Sequence, residues 1–213
     1  MVAPVSKMPP ELAAVHGQVS DDLVLLCLNW KEYSKLFATD ERRIDLLNAT
    51  APNFFVHLDD LVWSATMLGL CRLTDPPKSV GKDNLTVRRL PGLIPDSALS
   101  AKVQAEVDVA VTSAEFARDW RNRRLAHRSL ELLENPHLAP LASASRGGVE
   151  GSIDELCKVL NSISVYYDGV HHDFKGVMSA FEGSEALLYF LSSGLEADEA
   201  RKSEGKRWRP PHY

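Results

Sequence analysis

Residues 12–37 read LAAVHGQVSDDLVLLCLNWKEYSKLF, and the spacing of their apolar positions decides the fold class. Leu12, Val15, Val19, Leu23, Leu26, Trp30, Tyr33 and Phe37 recur in steps of three and four. That spacing lines one face of a helix with 3.6 residues per turn, whereas a half-buried strand alternates every second residue. One amphipathic helix of about seven turns is predicted.

The same reading extends outward along the chain. A short helical piece from Asp40 to Asn48 precedes Pro52, and Phe54, Leu58, Leu61, Ala65 and Leu68 then mark a second long helix ending near Pro76-Pro77. Phe55, Val62, Trp63 and Met67 widen its stripe, which implies burial on more than one side. Pro76 to Pro95 reads as a linker with one or two helical turns around Leu85 to Leu90 and Asp83 as the cap. After Asp96 a third long helix carries Leu99, Val103, Val107, Ala110, Ala114 and Ala117, continued by Leu130, Leu132 and Leu133 to Pro136. The small residues in its second half let another backbone approach closely. Asn135 to Gly151 reads as a loop, with Ser152 capping a fourth long helix that carries Ile153, Leu156, Val159, Leu160, Ile163 and Tyr167. A last helix is predicted over roughly Ser184 to Ser203, followed by a flexible basic tail over 204–213. With no internal repeat and no alternating strand pattern, the chain is predicted to be all-α. The expected fold is an up-and-down bundle of four long helices with additional short ones.

Bulk composition narrows the function. At 213 residues and 45% hydrophobic content the chain supports one sizeable core, so a single domain over 1–213 is expected, its core about 10–180. A formal net charge of -5 excludes a protein that coats nucleic acid with its whole surface, so any polyanion site must be a local basic patch. Cys27, Cys71 and Cys157 are odd in number and widely spaced, which fits a reduced, cytoplasmic chain with no zinc or thioredoxin-like motif. The opening residues show no export signal, and the longest apolar run, Leu23 to Leu28, is too short to span a bilayer. No membrane association is expected.

The basic patch stands out at Arg118-Asp119-Trp120-Arg121-Asn122-Arg123-Arg124-Leu125-Ala126-His127-Arg128. Guanidinium groups hold phosphate oxygens through paired hydrogen bonds, and an imidazole moves a proton near neutral pH. Together they suffice to break a phosphodiester without a metal or other cofactor. A purely structural alternative has these arginines on a solvated helix face, paired with Asp119 and Glu131.

The order Arg121, Asn122, a four-residue spacer and His127 resembles the signature of the HEPN superfamily. Leu46-Leu47-Asn48-Ala49-Thr50-Ala51-Pro52 running into Phe54-Phe55, then Arg72-Leu73-Thr74-Asp75, then Leu125-Ala126-His127-Arg128, look like its abortive-infection AbiU-type branch. The resemblance runs from about Arg42 to Glu131. It implies an HEPN-like helical bundle that dimerises so that two motifs face one cleft, acting as a metal-independent endoribonuclease in phage defence or as a toxin. A defence-system or antitoxin partner is implied as well. Carried over residue by residue, Arg121, Asn122 and His127 are the catalytic set: His127 shuttles the proton of the attacking 2'-hydroxyl, Arg121 holds the phosphoryl oxygens and Asn122 orients the groups. Arg118, Arg123, Arg124 and Arg128 would bind the RNA backbone. Neighbouring guanidinium groups disfavour the imidazolium and so lower the pKa of His127. In the branch paired with a nucleotidyltransferase antitoxin a tyrosine follows two positions after the histidine, and other AbiU-type sequences carry an acid there; this chain has Ser129.

On a straight helix Arg121 and His127 stand roughly 120° apart and about 9 Å apart along the axis, whereas Arg123 and His127 share a face. A kink or a long arginine side chain must close that gap, or Arg123 or Arg124 is the functional cation. Elsewhere, His171-His172-Asp173 lacks a further metal ligand at suitable spacing. Trp30, Trp63 and Trp120 fall on apolar stripes and read as core or dimer contacts, while Trp208 in the basic tail could touch RNA. Gly147-Gly148 has no lysine-serine partner, and no serine sits in a nucleophile elbow.

Overall fold

Among the described residues, the long apolar repeats at helical spacing fold as helices. The structure, a computed structural model, describes residues 7–37, 40–79, 81–126, 141–177 and 183–206. In chain order the helices are α1 (Pro10–Phe37), α2 (Glu41–Thr50), α3 (Pro52–Thr74), α4 (Ser97–Ser113), α5 (Glu115–Trp120), α6 (Arg146–Asp168) and α7 (Ser184–Ser203). The predicted all-α class holds: α1, α3, α4 and α6 are the four expected long helices, and α7, in its predicted range, is a fifth that at 20 residues is longer than α4 at 17.

Their ends follow local chemistry. Asp40 opens α2 by accepting from the Arg42 amide, and Asp96 opens α4 by accepting from the Leu99 amide at 2.7 Å. Gly169 closes α6 in the left-handed region at φ 67, where its amide bonds the Val165 carbonyl at 3.1 Å. Two predicted caps are wrong. The turn at Val87–Arg89 is capped by Thr86, which accepts from the Arg88 amide at 3.1 Å, while Asp83 lies in a strand and pairs with Arg89. α6 is capped by Ser145 at 3.0 Å from the Gly148 amide. Ser152 lies inside that helix, its hydroxyl 2.8 Å from the Ser113 carbonyl and 3.0 Å from that of Gly148. The linker also holds a small antiparallel pair, β1 (Lys78–Ser79) and β2 (Lys82–Asp83), turned by Gly81 at φ 77. Two residues per strand are too few to show alternation.

The chain forms two compact units, residues 1–27 with 64–177 and residues 28–63 with 178–213. In the first, α4 packs along α6, and Val103, Val107, Ala110, Val149, Leu156, Val159 and Leu160 are wholly buried. Leu12, Val19 and Leu23 of α1 and Met67 and Leu70 of α3 complete this core. Within it His16 Nε2 donates to the Leu160 carbonyl at 3.1 Å, beside Ser164. In the second unit, Leu36, Leu47, Phe55 and Leu188 bury one another, and Trp30 stacks on Tyr33 at 5.2 Å between ring centres. Glu32 accepts from the Ser184 amide at 2.7 Å, supplying the cap that Gly183 cannot give α7.

By length and composition α3 could cross a membrane, with a mean hydropathy of 1.2 over its most apolar window. Asp59 and Asp60 lie within it, and charges there are costly in lipid. Met67, Leu70, Cys71 and Leu73 are moreover buried in protein.

Candidate functional site

The helix leading to the arginine cluster is not continuous. Ala114 leaves helical geometry at φ -96 and ψ 8 between α4 and α5, and Arg121–Leu125 then form a π-helical turn in which the Ala126 amide bonds the Arg121 carbonyl at 2.8 Å. A five-residue bond admits one extra residue into the turn, so the straight-helix projection from Arg121 onward does not hold. His127 and Arg128 lie outside the described residues, as do Ser129, Leu130, Glu131, Leu132, Leu133, Pro136, Trp208 and Arg209.

The small-residue face before the cluster is already occupied. Ala110, Ala114 and Ala117 have no exposed surface within this one chain. Gly148 on α6 lies against the Phe116 ring at this end. The close approach that these small residues allow is therefore made within the chain.

Each described arginine of the cluster has a distinct setting. Arg118 is turned inward, with Nη2 donating to the carbonyls of Thr74 at 3.1 Å and Val111 at 3.4 Å, so it ties α3 to α4. Its Nε lies 3.8 Å from Asp75 Oδ1. Arg121 Nη1 is hydrogen-bonded to Asp75 Oδ2, and Nε donates to Asn122 Oδ1 at 3.1 Å. Arg123 pairs with Asp119 at 3.3 Å, and Arg124 lies over the Trp120 ring at 5.1 Å from its centre, a cation–π contact. Asp119 Oδ2 also accepts from the Ala142 amide at 2.7 Å, while Trp120 Nε1 donates to the Ala142 carbonyl at 3.0 Å. Both backbone groups of Ala142 are thus held by side chains that directly precede the motif. Trp120 accordingly serves local packing.

Beneath the pair lies Cys71, whose burial pushes its thiol up to about 11, partly offset by the charges of Arg121 and Arg118. A buried thiol held protonated is no nucleophile. Arg121 is thus hydrogen-bonded to both Asn122 and Asp75, the last residue of the Arg72-Leu73-Thr74-Asp75 stretch. Sequence spacing reveals near neighbours such as Asp119 and Arg123, and not a carboxylate 46 positions from Arg121. An acid closing an apolar helix was the available signal.

The second histidine-rich segment is organised differently. The His172 amide donates to Asn161 Oδ1 at 2.7 Å and its carbonyl accepts from Asn161 Nδ2 at 3.0 Å, while Asp173 caps the turn at Phe174–Gly176. His171 and His172 line a groove of about 440 Å3 with Lys102, Cys157 and Lys175. Among the described residues no three His, Cys, Asp or Glu side chains converge as a metal site.

The all-helical fold is consistent with an HEPN-like bundle. Residues 10–182 match the AbiU2 family of that class, HEPN_AbiU2, and the chain belongs to it. Membership makes it an HEPN-type abortive-infection protein. Neither the curated proteins nor the solved structures gave a match.

Proposed function

We propose that this chain is a metal-independent endoribonuclease acting in phage defence or as a toxin, with Arg121, Asn122 and His127 as its catalytic residues. The observation that carries the reading is family membership over a span that includes the whole motif, together with an Arg121 guanidinium held in place yet 27% exposed. His127 takes the proton from a ribose 2'-hydroxyl, the oxygen attacks the adjacent phosphorus, and Arg121 stabilises the charge that builds on the phosphoryl oxygens. Arg124 is exposed, and with Arg118, Arg123 and Arg128 it makes this stretch of sequence a local concentration of positive charge in an acidic chain, assigned to the RNA backbone. A cytoplasmic homodimer with two motifs at one cleft, together with a defence-system or antitoxin partner, completes the proposal. The large apolar side chains left exposed in the second unit support the dimer: Phe54 at 59%, Leu61 at 51%, Tyr189 at 67% and Phe190 at 69%. Cleavage of a fluorescent RNA in excess chelator tests the activity; none at micromolar protein would remove it.

A second reading is a non-catalytic module that binds RNA, a nucleotide or a protein through the same surface. One observation favours it: Arg118, Arg121, Arg123 and Arg124 each have a contact within the chain, as structural arginines do. Salt-sensitive RNA affinity without turnover is its signature.

A further inference from the structure

We propose that Asp75 is a positioning residue of the cleavage site, anchoring one edge of the Arg121 guanidinium so that the rest of the fork faces a phosphodiester of RNA. The inference rests on the nuclease reading above. Arginine carries five N–H donors in a rigid plane. Asp75 takes Nη1 and Asn122 takes Nε, and two bonds to different nitrogens fix both the place and the tilt of that plane. Among the described residues Nη2 of Arg121 makes no hydrogen bond, and the side chain keeps solvent access.

Asp75 is itself well placed for this work. Its amide bonds the Cys71 carbonyl at 2.7 Å, so it continues the end of α3, where the helix dipole adds negative potential that draws in cations. Arg118, anchored on the Thr74 carbonyl, stands against the other carboxylate oxygen at 3.8 Å. That oxygen, Oδ1, is buried and accepts no hydrogen bond among the described residues. The carboxylate is thus directed by charge on both sides. An arginine restrained in advance loses less freedom when it meets the transition state, and small misplacement of such a group is costly. The opposite role, a carboxylate competing with RNA for Arg121, predicts the opposite sign.

The test uses the full chain, a short fluorescent RNA and chelator. Asp75→Asn should lower kcat by about 10- to 100-fold with KM little changed, Asp75→Glu should retain intermediate activity, and Asp75→Asn should cost nothing further in an Arg121→Ala background. Cleavage by Asp75→Asn at or above the wild-type rate overturns the proposal. So does an additive loss in the Arg121→Ala background, which marks a structural role. Should Asp75→Asn not fold, Asp75→Glu carries the decision, and full kcat in that variant overturns it. A wild-type chain that does not cleave, with Arg121→Ala indistinguishable from it, removes the nuclease reading and this inference together. Cleavage that needs Arg121 but not Asp75 removes the inference alone.

Discussion

Two histidines separate function from structure at the scale of single residues. His127 lies outside the described residues, and its proposed role is tested directly: His127→Ala should slow RNA cleavage by roughly 100- to 10,000-fold while leaving folding and RNA affinity nearly unchanged. Full activity in a folded His127→Ala protein ends the catalytic assignment. His16 belongs to the other kind. Burial lowers its pKa from 6.5, and with its imidazole neutral and Nε2 bonded to the Leu160 carbonyl it holds α1 to α6. Asp168 acts to raise that pKa and His172 to lower it. The unfolded chain takes up the proton first as pH falls, so the stability contributed is fully present above 6.5 and is lost below it, toward the lower folded value. Denaturant midpoints measured from pH 7.5 to pH 5 should therefore fall in the wild type and fall less in His16→Gln. An identical slope in both proteins would show that His16 does not carry this pH dependence.

Between single residues and the whole chain stand the helices, and here the sequence was legible wherever burial repeats. α1 follows from Leu12 to Phe37 alone, because a long apolar stripe has few competing explanations. What failed was punctuation: Ser152 and Asp83 are as good caps by type as Ser145 and Thr86, and only tertiary packing chooses among them. The π turn at Arg121–Leu125 was likewise illegible, since the one-residue shift of its hydrogen-bond ladder has no marker in residue type. Of the candidate site, Arg121 and Asn122 stood out in the sequence, but Asp75, hydrogen-bonded to Arg121, is 46 positions away. The alanine face was legible but its partner was not, because a small-residue stripe does not say which backbone comes close. Ala117→Leu discriminates the two readings. Overpacking a filled intramolecular contact should cost about 1–3 kcal/mol in urea denaturation, whereas an open face would tolerate the change.

For the whole molecule the question is how an acidic chain engages RNA, and with how many copies. The net charge of -5 opposes binding by general attraction, so affinity must arise at the cluster and weaken steeply with salt. Replacing Arg123 and Arg124 together by Glu should abolish salt-sensitive RNA binding. Because Arg123 also neutralises Asp119, Arg124→Glu alone, on the exposed side of Trp120, should weaken it with less structural damage. Unchanged affinity in the double variant would move the site to the basic tail at Lys206 to Arg209. A composite site with two copies of His127 further requires a stable pair of chains. With Ala110, Ala114 and Ala117 consumed internally, a dimer must use other apolar surface, and Phe54 and Leu61 stand two turns apart on one face of α3 with more than half of each side chain exposed. Light scattering at micromolar concentration should therefore report twice the 23.6 kDa chain mass for the wild type. Phe54→Glu with Leu61→Glu should return it to a folded monomer, by placing charge where an apolar contact formed. Cleavage should fall with dissociation, and more steeply on dilution than in proportion to concentration, since each cleft needs both chains. A wild-type monomer that still cleaves RNA would show that one motif suffices and would end the two-chain cleft.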